Sequence, residues 1–129
     1  MDTIGTTLNK QTISTISRQL RTHKLTSQLI TETCLEQISL KDKTLNAFIA
    51  VFADEALQQA CEADRELKAG LDRGPLHGIP LSLKDLIDVR GVPTTAASRV
   101  RKKMTTINSR KMAQIKTDLC HLLIICINV

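Results

Sequence analysis

GPLHGIPLSLKDLIDVRGVPTTAAS, residues 74–98, is the stretch from which the rest of the chain is read. It holds all three prolines and three of the five glycines, and in its middle Ile79 to Leu83 forms a short apolar run that delivers Lys84. An apolar run of this length bounded by glycine and proline reads as a strand. Side chains alternate along a strand, so Pro80, Ser82 and Lys84 share one face while Leu81, Leu83 and Asp85 take the other. Lys84 is therefore the candidate catalytic residue. Where such a face is covered, an ammonium loses its hydration, its pKa falls, and a neutral amine able to act as a base becomes accessible near neutral pH.

The pattern G-P-L-x-G-I-P-x-x-x-K-D, followed by x5-G-x-x-T-T-x-x-S, resembles the lysine-bearing segment of the amidase signature enzymes. The resemblance implies an α/β fold, here the amino-terminal portion of an amidase signature domain: helices plus the first strands of a mixed sheet, incomplete. It implies a serine, serine, lysine triad in which the lysine at the position of Lys84 takes a proton from the nucleophilic serine through a bridging serine. The family's serines lie in a Gly/Ser-rich segment downstream of the lysine, and no such segment occurs between Lys84 and Val129. Neither Ser82 nor Ser98 has a Gly-Ser-Ser-Gly context, and His77 lies at a position outside the triad, where loop packing is the better reading. Family members often carry Asn after the Lys-Asp pair and Gly before the final serine, where this chain has Leu86 and Ala97.

Upstream, Ile13, Ile16 and Leu20 recur at helical spacing after Thr12, a candidate N-cap. Thr26 or Ser27 caps a second expected helix, with Leu29, Ile30, Cys34 and Ile38 on one side and Thr31, Glu32 and Glu36 on the other, ending near Ser39 with a turn at residues 41–43. The run NAFIAVF, residues 46–52, is expected as a buried strand. Asp54 then caps a helix in which Leu57, Ala60, Ala63 or Asp64, Leu67 and Leu71 form the apolar stripe and Gly70 the stop. Its polar side, including Glu62 and Glu66, reads as a solvated face rather than a paired-carboxylate site. Strand, helix, strand is the order of an α/β crossover unit.

With 129 residues the chain suits one small domain. Its net charge of +5 is unevenly placed: residues 1–98 carry 11 basic and 12 acidic side chains, residues 99–129 carry 7 and 1. With Phe48 and Phe52 the only aromatics, a stacking surface for nucleic acid is absent, and nucleic acid is not an expected partner. Cys34, Cys61, Cys120 and Cys126 form no CxxC pair, and the Cys120, His121, Cys126 spacing matches no common zinc pattern, so neither metal nor cofactor is expected. The first residues are polar, with no apolar signal core. Reduced thiols place the chain in the cytoplasm; the acid-poor, Ser- and Thr-rich opening gives a mitochondrial transit segment as the alternative.

The expected division is a partial amidase domain at 1–98 and a divergent, basic then apolar tail at 99–129. Within the tail, Leu119 to Val129 is too short for a membrane span, which needs roughly 20 residues, and reads as an adhesive strand. The tail is expected not to pack as a continuation of the domain; a frame change, unspliced read-through or truncation would account for it. Two classes of function follow. One is an amidase-family enzyme acting on small carboxamides, or transferring ammonia to aminoacyl-tRNA in company with partner amidotransferase subunits. The other is a non-catalytic interaction module or non-functional remnant.

Overall fold

The computed structural model describes Leu8, residues 10–87, Val89, residues 92–98 and the strand at 123–128. Gly91, the basic opening of the tail and the Cys120–His121 pair lie outside the described residues.

Helix α1, Ile13–Arg21, starts at Thr12, whose hydroxyl accepts from the Thr15 amide at 3.3 Å, and ends with Arg18 and Arg21 in its last turn. Its inner face is Leu20, Ser17 and half-buried Ile16, while Ile13, expected on the stripe, is exposed. Helix α2, Ser27–Leu45, is capped by Thr26, which accepts from the Leu29 amide at 3.2 Å. It does not stop near Ser39. Nothing in residues 39–45 breaks a helix, and the turn expected at 41–43 is its last helical stretch; Asn46, in the left-handed region at φ 48°, ends it. Asp42 helps the chain leave, because its Oδ1 accepts from the amides of Ala47 and Phe48 at 2.7 and 3.2 Å. Thr31, assigned to the polar side, is fully buried and donates its hydroxyl to Ser27 O.

Helix α3, Ala53–Lys68, begins at Phe52, so Asp54 lies in the first turn beside the helix dipole rather than at the cap. Ala56, Ala60, Ala63 and Leu67 form its buried stripe, and Gly70 at φ 80° closes it, with the Leu71 amide reaching back to Glu66 O. Leu71 itself is exposed. The small alanines let α2 and α3 approach closely, with Cys34, Leu35, Ile38 and Phe48 packed against Ala56 and Ala60. A second cluster joins α1, α2 and α3 to the signature stretch through Leu20, Ile30, Leu67 and Ile79. Burial of Leu and Ile side chains here supplies the main stabilising term, roughly 1.5–3 kcal/mol for each fully buried chain.

The sheet contains β1 (Phe48–Val51), β2 (Pro80–Lys84) and β3 (Leu123–Asn128) in the order β1-β3-β2. β3 runs antiparallel to β1 and parallel to β2, with irregularities at Ile49 and between Leu81 and Ser82. Two expectations are corrected. β1 and β2 are neither neighbours nor parallel, so the β1-α3-β2 unit is not a simple crossover. The tail segment expected to lie apart is, at residues 123–128, the middle strand; the unpaired edges of β1 and β2 supply the physical reason, since backbone donors and acceptors require partners. β1 is also less buried than expected, with Ile49 and Val51 exposed.

Candidate active site

The site lies where β2 ends. Burial follows the strand's two-residue period: Ser82 and Lys84 are exposed, Leu81 and Leu83 are half-buried, and Asp85 is buried. Lys84 opens onto a pocket of about 240 Å³ lined also by Ile49, Asp85, Leu86, Thr95, Ala96 and Ala97. The base character expected of Lys84 depends on a covered face; among the described residues that face is open.

Opposite in face and next in sequence, Asp85 is only 4% exposed. Its Oδ1 accepts from the Thr95 amide at 2.9 Å and its Oδ2 from the Thr95 hydroxyl, while its backbone carbonyl accepts from the Ala96 amide at 3.0 Å. The Thr95 hydroxyl, with help from the amides of residues 95–97, holds the Asp85 carboxyl below the usual carboxylate range against the opposing effect of burial. The turn so gripped is unusual, for Ala96 and Ala97 are both in the left-handed region, at φ 47° and 59°. The departure from glycine at Ala97 therefore falls where a Cβ is disfavoured.

The loop entering β2 is pinned at its other end. The Arg21 guanidinium binds both oxygens of Asp72, at 2.6 and 2.7 Å, and donates to Gly74 O at 2.6 Å. Glu66 is not part of a merely solvated face: it takes a bidentate pair from Arg73, at 2.7 and 2.5 Å, and lies 3.0 Å from His77 Nε2. His77 is 2% exposed, and its Nδ1 accepts from the Arg73 amide at 3.3 Å, which assigns the proton to Nε2. That Nε2 faces Glu66 at ion-pair range without hydrogen-bond alignment. Burial lowers the His77 pKa, an effect the negative Glu66 partly opposes. The Arg73 hydrogen bonds hold Glu66, and the Arg21 hydrogen bonds hold Asp72, below the ordinary carboxylate range.

Ser27, missed in the sequence except as a cap, is fully buried and donates to Gly78 O at 2.7 Å. Gly78, at φ 77°, would place a Cβ 3.3 Å from the Ser27 side chain, so both the turn and the close approach need glycine. Ser82 and Ser98 are not among the residues lining the Lys84 pocket. No cluster of potential metal ligands occurs among the described residues, and none of their helices is long and apolar enough to cross a membrane.

Comparison with known proteins gives this geometry its family. A family model named Amidase matches residues 29–118, and the chain belongs to that family, the amidase signature enzymes of the sequence resemblance. The match continues past Ser98, further than the residues alone indicated. An amidase of Pseudomonas putida is 34% identical over 91 residues, 70% of this chain and 19% of the relative. The matching glutamyl-tRNA(Gln) amidotransferase polypeptide of Bartonella tribocorum is 42% identical over 95 residues, covering 74% of this chain and 19% of the relative. The peptide amidase of Stenotrophomonas maltophilia superposes with a TM-score of 0.76 at 29% identity, covering 92% of this chain and 24% of that structure. The chain thus spans about a fifth of the length of the curated relatives it matches. The fold is that of an incomplete α/β amidase domain.

Proposed function

We propose that the chain supplies the lysine side of an amide-processing centre, in which Lys84 accepts a proton through a bridging serine from a nucleophilic serine. The reaction class is hydrolysis of a carboxamide, or transfer of the released ammonia to an aminoacyl-tRNA in company with amidotransferase subunits; the setting is cytoplasmic. The observation that carries this reading is Lys84 at the open end of β2, beside a pocket with apolar walls, within a sequence segment of the amidase family. Ser82 and Ser98 do not take the nucleophile's part. The 129 residues by themselves are therefore an inactive portion, because a lysine without a positioned alcohol has nothing to activate. Within this reading residues 1–98 are a partial amidase domain and residues 99–129 are divergent in sequence, while the strand at 123–128 belongs to the sheet of that domain.

The test is ammonia release from simple carboxamides by a longer protein that carries this segment together with a Gly/Ser-rich serine motif. Lys84→Ala should lower turnover by orders of magnitude, and Lys84→Arg should not restore it, because a guanidinium stays charged and cannot accept the proton. An active Lys84→Arg protein would refute the base role.

A further inference from the structure

We infer that Asp85 is the positioning residue of the lysine pocket: its carboxylate seats the Thr94–Ser98 turn as the wall of the pocket that Lys84 also lines. The inference rests on the proposed role of Lys84, but its structural half stands without any amidase activity.

Lys84 and Asp85 are opposite charges adjacent in sequence. The strand period sends them to opposite faces, and Lys84 stays exposed while Asp85 is buried. A buried carboxylate must find donors, and Asp85 finds them ten residues onward in the Thr95 amide and hydroxyl. The amides of Ala96 and Ala97 also favour its charged form. The Ala96 amide closes the same contact through the backbone, donating to the Asp85 carbonyl at 3.0 Å. The turn is thus tied to Asp85 by its side chain and its main chain together. Thr94, at the start of the turn, is buried, and Thr95, Ala96 and Ala97 all line the pocket. The wall of that pocket is thus placed by Asp85, whose carboxylate is engaged by the turn rather than by the neighbouring amine. Among the described residues, Lys84 is the other charged side chain lining this pocket.

Two measurements on the full 129-residue chain, wild type and Asp85→Asn, test this. Asparagine keeps the size but removes the charge and leaves one acceptor oxygen where the Thr95 amide and hydroxyl each had their own. Amide hydrogen exchange at Thr95, corrected for its intrinsic rate, should accelerate by about tenfold or more in Asp85→Asn, as expected for loss of a hydrogen bond to a charged group, with Ala96 and Ala97 following as the turn loosens. In parallel, trace labelling with acetic anhydride at fixed pH should show the yield at Lys84, referenced to Lys10, rising by about threefold as the wall moves away. A space-filling role would change neither reading. Unchanged exchange overturns the inference, as does faster exchange with unchanged Lys84 labelling, which would make Asp85 a turn residue only.

If Asp85→Asn does not fold, the wild-type chain carries the test. Its protection at residues 95–97 should be lost as pH falls below about 4, through the titration of Asp85. Glu66 and Asp72 also titrate in acid, so the step is assigned by its confinement to residues 95–97. Protection that persists there at full carboxyl protonation overturns the inference.

Discussion

The two ends of the signature stretch are held in contrasting ways. At Asp72–Ile79 the loop is gripped by Arg21, Glu66 and the buried His77, and Ile79 enters a core shared by three helices. Around Lys84 the side chains face outward: Ile49 is 51% exposed and Leu86 64%. The helical end pairs most of its polar groups, His77 Nε2 excepted, whereas the lysine end presents apolar surface and a cation. The two ends therefore differ in how fully they are packed, and among the described residues the lysine end is the open one.

The largest expected effect tests whether the sheet belongs with the scaffold. Truncation after Ser98 removes the strand between β1 and β2 and leaves both unpaired. The expected outcome is loss of a cooperative thermal transition and lower solubility, the reverse of what an appended adhesive tail would give. A truncated chain that melts cooperatively and dissolves better would restore the divergent-tail reading and remove β3 from the scaffold. Next in size, Leu20→Ala should destabilise by about 2–5 kcal/mol, as deletion from a packed core does, while Ile49→Ala should change stability by less than about 1 kcal/mol. Urea midpoints of the two variants measure the contrast; equal losses would dissolve it.

Acid should loosen the gripped end first. The folded His77 pKa is lowered, so the unfolded chain takes the proton more readily, and this contribution is present above about 6.5 and lost as pH falls through the folded value. Glu66 and Asp72 are also lowered, so their contributions are present above about 4 and vanish in stronger acid. Denaturant midpoints should decline below about pH 6.5, and the first part of the decline should be absent in His77→Phe. A smaller gain is expected at the other end: Ala97→Gly removes a Cβ from the left-handed region, at an entropic cost of about 0.5–1 kcal/mol, for a net stabilisation of up to about 1 kcal/mol. A loss of stability in Ala97→Gly would show that the turn does not hold that conformation.

What the sequence revealed was local. Thr12 and Thr26 announced their helices because a cap acts on an amide three residues away, and the two-residue period of a strand was enough to part Lys84 from Asp85. The end of α2 was hidden because residues 41–43 are as much at ease in an exposed helix as in a turn, and the stop came from the backbone angle of Asn46. Glu66 looked solvated because its partners, Arg73 and His77, lie beyond the end of the helix. The turn that holds Asp85 was hidden for the same reason, with alanines where glycines would have flagged a left-handed conformation. The order of the sheet depends on a pairing between distant segments, which no local pattern encodes.

The most direct test of the central claim, that Lys84 is the lysine side of a centre whose alcohol lies elsewhere, is ammonia release from simple carboxamides by the purified 129-residue chain. The predicted result is no turnover above the uncatalysed rate for the wild type and for Lys84→Ala alike. Enzymatic ammonia release that disappears in Lys84→Ala would contradict it, because the activated hydroxyl would then have to lie within these residues.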